Sequence, residues 1–234
     1  DLPYVGCGVM ASAVAMDKAA SKAIFAAAAL PQVPYHVLKR TQWQANPAGV
    51  LAEIEHHLMY PVFVKPANMG SSVGISKAKD RTGLARALDE AARYDRKIIV
   101  EQGIDAREIE VSVLGNDDPI ASVPGEIVPC REFYDYAAKY VEPDSELLIP
   151  APLTAEQTKA VQQLAIQAFL AIDGAGMARV DFLLDRQTGQ LYLNEVNTIP
   201  GFTKAEQFYF TQAILKIALS GRIPPLVVLA LERY

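Results

Sequence analysis

The sequence predicts an α+β fold, and three observations carry that reading. Short runs rich in β-branched and aromatic residues, PVFVKP (61–66), VGISKA (73–78) and KIIVEQ (97–102), read as strands, with a helical stretch at 83–94 between the last two. REIEVSVLGN (107–116) alternates strictly, setting Ile109, Val111 and Val113 on one face and Glu108, Glu110 and Ser112 on the other, so one side suits a core and the other a ligand. A capping box of Thr154 and Gln157 opens a helix whose stripe of Val161, Leu164, Ala165 and Ala168 packs on a sheet made of GMARVDFLLD (176–185) and QLYLNEVN (190–197), joined by a hairpin turn.

The other elements follow in order. Residues 9–29 are rich in strong helix formers and predict one helix ending at Leu30-Pro31, because proline biases the residue before it away from helix. Residues 129–152 are irregular, rich in Pro and Tyr. A chain of 234 residues, 51% of them hydrophobic, buries a sizeable core as one large domain or two small ones. The longest apolar runs, 23–30 and 226–231, are far shorter than the ~18 residues of a membrane span. A net charge of -5 with scattered lysines gives no footprint for nucleic acid and favours small-molecule chemistry. Two cysteines, Cys7 and Cys130, make no disulfide framework and fit a reducing cytoplasm. The start at Asp1, with no Met and no signal segment, reads as a beginning inside a longer polypeptide.

Two constellations carry chemistry. In KPANMGSSVG (65–74) a lysine ends a strand, and a loop of Gly70, Ser71, Ser72 and Gly74 leads into the next. Glycines let backbone amides approach phosphoryl oxygens, serines add donors, and Lys65 adds a point charge; an ordinary surface turn has the same composition. Period-two alternation puts Arg179 and Asp181 on one face of their strand and Glu195 and Asn197 on one face of the next. Such oxygen ligands suit magnesium, and a solvated polar face looks the same in sequence. The loop EFYDYAAKY (132–140) adds aromatics and Lys139. His36, His56 and His57 occur at no catalytic spacing and read as structural or surface residues.

MDK (16–18), VKPANMGSSVG (64–74), EQGI with Glu108, EFYDYAAKY, ARVDFLLD and NEVNTIPGF (194–202) together resemble the ordered motifs of D-alanine–D-alanine ligases. The resemblance implies an ATP-grasp fold, two α+β subdomains holding ATP between their sheets. It divides the chain into 1–17 as the tail of a preceding domain, 18–101 as the central subdomain and 102–234 as the C-terminal catalytic subdomain. Lys18 and Lys65 are implied to contact the α- and β-phosphates, with Ser71 and Ser72 closing over them and Lys139 reaching the γ-phosphate. Glu101, Gln102 and Ile104 would hold adenine, Glu108 the ribose, and Phe63, Tyr134, Leu183 and Asn194 would line the pocket.

By the same resemblance Asp181, Glu195 and Asn197 bind two Mg2+ ions, or Mn2+. Arg179 and the Gly201 amide stabilise an oxyanion, and Tyr140 belongs to a closing loop that reaches Ser71. The implied enzyme joins two D-alanines through a D-alanyl phosphate, for peptidoglycan precursors, as a cytoplasmic homodimer. Its partners are D-alanine and ATP, with neither nucleic acid nor membrane. The stretch after Thr203 lacks the serine-containing segment of the family, and Glu206 near the expected place would repel a carboxylate.

Overall fold

The computed structural model describes residues 2–128, 146–201 and 225–232. Two antiparallel sheets organise them. The first has the order β1-β4-β2-β3, from β1 (Tyr35–Lys39), β2 (Val62–Pro66), β3 (Ser76–Ala78) and β4 (Lys97–Gln102). The second has the order β10-β9-β5-β7-β8 with β6 beside β5, from β5 (Ala106–Gly115), β6 (Ile120–Ala121), β7 (Gly125–Val128), β8 (Glu146–Leu148), β9 (Gly176–Asp185) and β10 (Leu191–Asn197). The chain crosses from one sheet to the other at 103–105.

Each sheet buries one face under helices. In the first, Val62, Val64, Ile98 and Val100 pack against Val50, Leu51 and Ile54 of α4 (Pro47–His57) and Leu84, Leu88 and Ala91 of α5 (Arg81–Tyr94). Trp43 of α3 (Arg40–Ala45) joins this core, and its indole N–H donates to Asp89 at 2.8 Å. In the second, Ile109, Val111, Val113, Val180 and Phe182 pack against Val161, Ala165, Ala168 and Phe169 of α6 (Ala155–Ala171). Each Val, Leu, Ile or Phe among them contributes about 1.5–3 kcal/mol by leaving water. The expected capping box of Thr154 and Gln157 is formed.

Three expectations need correction. The single helix over 9–29 is two, α1 (Val9–Met16) and α2 (Lys18–Ala27). Asp17 breaks it: its backbone is extended, and its carboxylate accepts from the Ala19 and Ala20 amides at 3.1 and 3.0 Å, starting a new helix. The strand expected from 73 begins only at Ser76, because residues 71–74 turn through left-handed backbone. The polar face of β5 is mostly closed to ligand. Glu110, with Arg179 3.4 Å away, and Ser112 are buried, and of the three polar residues only Glu108 reaches the cavity.

Elements α3, α4 and β1 complete the first layer and are not anticipated by the patterns above. A last helix, α7 (Pro225–Glu232), contacts β9. Among the described residues no helix is long and apolar enough to cross a membrane. Cys7 is a buried free thiol, and Cys130 lies outside the described residues.

Candidate functional site

A cavity of about 780 Å³ lies between the uncovered faces of the two sheets. Alternation along β2 and β4 turns Phe63, Lys65 and Glu101 toward it while Val62, Val64 and Val100 stay in the core. Gln102 and Ile104 line it where the chain changes sheets. Glu108, Leu183, Asn194, Glu195 and Asn197 form the opposite wall. Lys18, Ser71 and Ser72 close one side. Most of the residues singled out in the sequence therefore meet in one space.

The wall on the first sheet is organised around Glu101. In the register Phe63 pairs with Glu101 and Lys65 with Ile99, so Lys65 and Glu101 are diagonal neighbours on one face. Lys65 forms an ion pair with one oxygen of Glu101, and Lys22 stands 2.9 Å from the other. Burial pushes the Glu101 carboxyl up, but the charges of Lys65 and Lys22 outweigh it and hold the group down at about 2. Burial pulls Lys65 down, while Glu101, with Glu195 and Glu108 farther off, more than offsets it and keeps the ammonium charged.

The loop from Gly70 to Gly74 has an unusual backbone. Ser71 and Ser72 lie at φ 51° and 60°, a conformation that costs non-glycine residues of order 1–3 kcal/mol. Gly74, at φ 71°, resists a side chain on two counts, the left-handed backbone and a Cβ that would come within 2.6 Å of the Tyr94 ring. Strain of this kind is unusual for an idle surface turn. Lys18 is fixed beside the loop: its ammonium donates to the Met69 carbonyl at 2.8 Å, lies 3.8 Å from Glu195, and its amide donates to Ala67. Lys97 holds the Asp17 cap from below at 2.5 Å.

The opposite wall depends on a bulge. Leu193 pairs with Phe182 and Glu195 with Asp181, leaving Asn194 as an extra residue. Without it, strict alternation would put Leu193 and Glu195 on one face. With it, Leu193 and Val196 both enter the core while Glu195 and Asn197 share the other face with Asp181 and Arg179. Glu110, Asp181 and Glu195 thereby form one row across three strands. Arg179 lies beside that row, donating to both oxygens of Asp181 at 2.7 and 2.8 Å and standing 3.4 Å from Glu110.

Arg179 and Asp181 do not line the cavity, and Gly201 is exposed. Tyr134, Lys139 and Tyr140 lie outside the described residues, as do Thr203 and Glu206. Sequence reading missed Lys22 and the bulge, and gave Glu110 a face but not its pairing with Arg179. Lys22 sits within a helix where spacing alone marks nothing, but apolar residues three apart at 193 and 196 are a visible break in a period of two.

The metal reading meets a mixed donor set. Among the described residues no group of three His, Cys, Asp or Glu is placed to hold a metal ion. Asp181 and Glu195 are nonetheless directly opposed across two strands, with the Asn197 amide on the same face. Magnesium needs only one or two protein carboxylates when phosphates and water complete its shell. Both Asp181 oxygens are taken by Arg179, so Glu195 and Asn197 are the members of this set that face the cavity, and one carboxylate with an amide fits a hard cation shared with a phosphorylated ligand.

A family model described as D-ala D-ala ligase C-terminus matches residues 24–215. The chain belongs to that family. It is 57% identical over 234 residues to a D-alanine–D-alanine ligase of Heliobacterium modesticaldum, covering all of this chain and 64% of that protein. With the enzyme of the same name from Acetivibrio thermocellus it shares 49% identity over 233 residues, covering 62% of that protein. It thus spans less than two thirds of these relatives. Among solved structures, the D-alanine-D-alanine ligase from Coxiella burnetii superposes with a TM-score of 0.79 at 34% identity, over 99% of this chain and 61% of that one. The VanG D-Ala:D-Ser ligase from Enterococcus faecalis gives 0.77 at 34% identity, over 92% of this chain and 64% of that one. The fold of this family member is ATP-grasp, an α+β architecture.

Proposed function

We propose that the protein containing this chain is an ATP-dependent ligase that joins two D-alanines through a D-alanyl phosphate. The observation that supports it most is the cavity itself, with the lysines Lys18 and Lys65 facing the carboxylates Glu108 and Glu195 between two sheets of this family's fold. A carboxylate is a poor electrophile for an amine. Transfer of the γ-phosphoryl of ATP to a carboxylate oxygen of the first D-alanine gives ADP and an acyl phosphate. The neutral amine of the second D-alanine then attacks the acyl carbon, the amide forms, and phosphate leaves with its bridging oxygen.

In this reading Lys18 and Lys65 bind the α- and β-phosphates, and Ser71 and Ser72 close over them. Glu101, Gln102 and Ile104 hold adenine, Glu108 holds the ribose, and Phe63, Leu183 and Asn194 line the nucleotide's place. Asp181, Glu195 and Asn197 hold two Mg2+ ions, or Mn2+, which when bound supply positive charge to the transferring phosphoryl group. Arg179 and the Gly201 amide meet the oxyanion on the first D-alanine. Lys139, Tyr134 and Tyr140 belong to the same proposal. So do the subdomains 18–101 and 102–234, the homodimer and the cytoplasmic location.

The test uses the full-length protein with ATP, Mg2+ and D-alanine. ADP release that depends on D-alanine, with D-alanyl-D-alanine in the mass spectrum, is the expected result. ATP binding without dipeptide would reduce the protein to a nucleotide-binding module. The structural likeness to a D-Ala:D-Ser ligase makes the second substrate worth a direct competition. Preferential ligation of D-serine or D-lactate would reassign it.

A further inference from the structure

Helix α2 presents two lysines one turn apart, Lys18 and Lys22, and the two have different partners. Lys18 reaches the glycine-serine loop and Glu195 of β10, whereas Lys22 reaches Glu101 of β4. Lys22 is among the most deeply buried side chains, 1% exposed, and it does not line the cavity. Its ammonium lies 2.9 Å from Glu101 and 5.3 Å from the centre of the Tyr35 ring, a cation–π contact. Tyr35 is the residue paired with Glu101 across β1 and β4, so the ring sits beside the carboxylate that Lys22 binds. The Gln32 side chain donates to the Lys22 carbonyl at 3.0 Å and fixes that turn of α2.

Glu101 therefore has two ammonium partners, one sealed away and one at the cavity surface. A buried carboxylate needs a counter-charge, and leaving it without one is strongly unfavourable. One lysine would satisfy that need. With Lys65 alone, an arriving phosphate could take the lysine only by stranding Glu101.

We propose that Lys22 is a positioning residue for nucleotide binding: it is the resident counter-ion of Glu101, and it frees Lys65 to turn from Glu101 to a nucleotide phosphate. The idea rests on the ATP reading of the cavity. Lys22 touches no ligand and acts through Glu101. Arginine at 22 preserves the charge, and a neutral residue at 101 makes the second cation unnecessary.

Isothermal calorimetry with ATP on the full-length protein tests this, with thermal melts as the check on folding. Parent protein that binds no ATP overturns the functional reading and this proposal with it. With parent binding established, Lys22→Met should weaken ATP about tenfold, and Lys22→Arg should stay within about threefold of the parent. KM for ATP should rise with Lys22→Met while kcat and the KM for D-alanine change by less than about threefold. The deciding comparison is in the Glu101→Gln background, which also covers the case in which Lys22→Met alone does not fold. There, adding Lys22→Met should change ATP affinity by less than about threefold, a non-additive cycle. A tenfold loss from Lys22→Met in both backgrounds, or none in either, makes Lys22 an ordinary structural lysine and overturns the proposal.

Discussion

The two sheets that flank the cavity carry opposite charge motifs built on the same plan. On the first sheet one carboxylate, Glu101, lies between two lysines, Lys22 and Lys65. On the second sheet one guanidinium, Arg179, lies against two carboxylates, Asp181 and Glu110. Each cluster is mostly buried and mostly self-compensated, so neither leaves a bare charge in a low dielectric. Cations predominate among these named groups on the first sheet and carboxylates on the second. The lesson is that pairing stabilises each cluster, while the predominant sign bears on what we propose each meets: phosphate at the first, a metal ion at the second.

The largest effect should come from weakening the negative wall. Under the proposed activity, Glu195→Gln is expected to lower turnover in the full-length protein by roughly two orders of magnitude or more while the melting temperature changes little, since it removes charge where a metal is proposed to meet the phosphoryl group. Near-normal turnover at saturating Mg2+ would rule out that role.

Acid should break the positive wall. Glu101 is held at about 2 in the fold against 4.5 ordinarily. A carboxyl depressed on folding adds stability above its unfolded value and loses it as pH falls through its folded one, here between 4.5 and 2. The contribution is on the order of 3 kcal/mol at neutral pH. Urea titrations at stepped pH should show a shallower decline in that window for Glu101→Gln than for the parent. Parallel curves would mean that Glu101 titrates alike in both states.

Lys65→Ala removes one of the cations that face the cavity and should weaken ATP by about 1.5–3 kcal/mol, the value of a charge-assisted contact. Unchanged affinity by calorimetry would place the phosphates elsewhere. The smallest contrast lies within one loop. Gly74→Ala meets both a left-handed backbone and the Tyr94 ring and should cost about 1 kcal/mol or more, whereas Gly70→Ala faces open space and should stay within about 0.5 kcal/mol. Equal destabilisation in thermal melts would show that the loop's shape is not held where the backbone places it.

Much of this arrangement was legible in the sequence, for reasons that separate the two walls. Glu108 and Glu195 stand on strands whose alternation marks a polar face, Lys65 precedes a glycine-serine loop, Glu101 is singled out only by the family resemblance of its motif, and the capping box at Thr154 announces its helix. The Asn46-Pro47 start of α4 was equally visible, with the Asn46 side chain accepting from Gly49 and proline in the first turn, and it went unread. Lys22 could not be found that way, because a lysine in a helix is normally solvated and only tertiary packing shows that this one is enclosed. Asp17 also hides within an alanine-rich run, where its role as a break depends on Lys97, eighty residues on. Glu110 looked available to a ligand because alternation tells which face a residue takes, but not what covers that face.

The extra residue at Asn194 has one more consequence. It keeps β10 in one of two readings of the same letters. Were Asn194 drawn into the ladder, each residue after it would shift by one, and Glu195 would turn toward the core while Val196 turned toward the ligand. Deleting Asn194 would leave Leu193 opposite Phe182 and Glu195 opposite Asp181, the faces they already take. What this end of the strand needs is that Asn194 stay outside the pairing, more than that it be present.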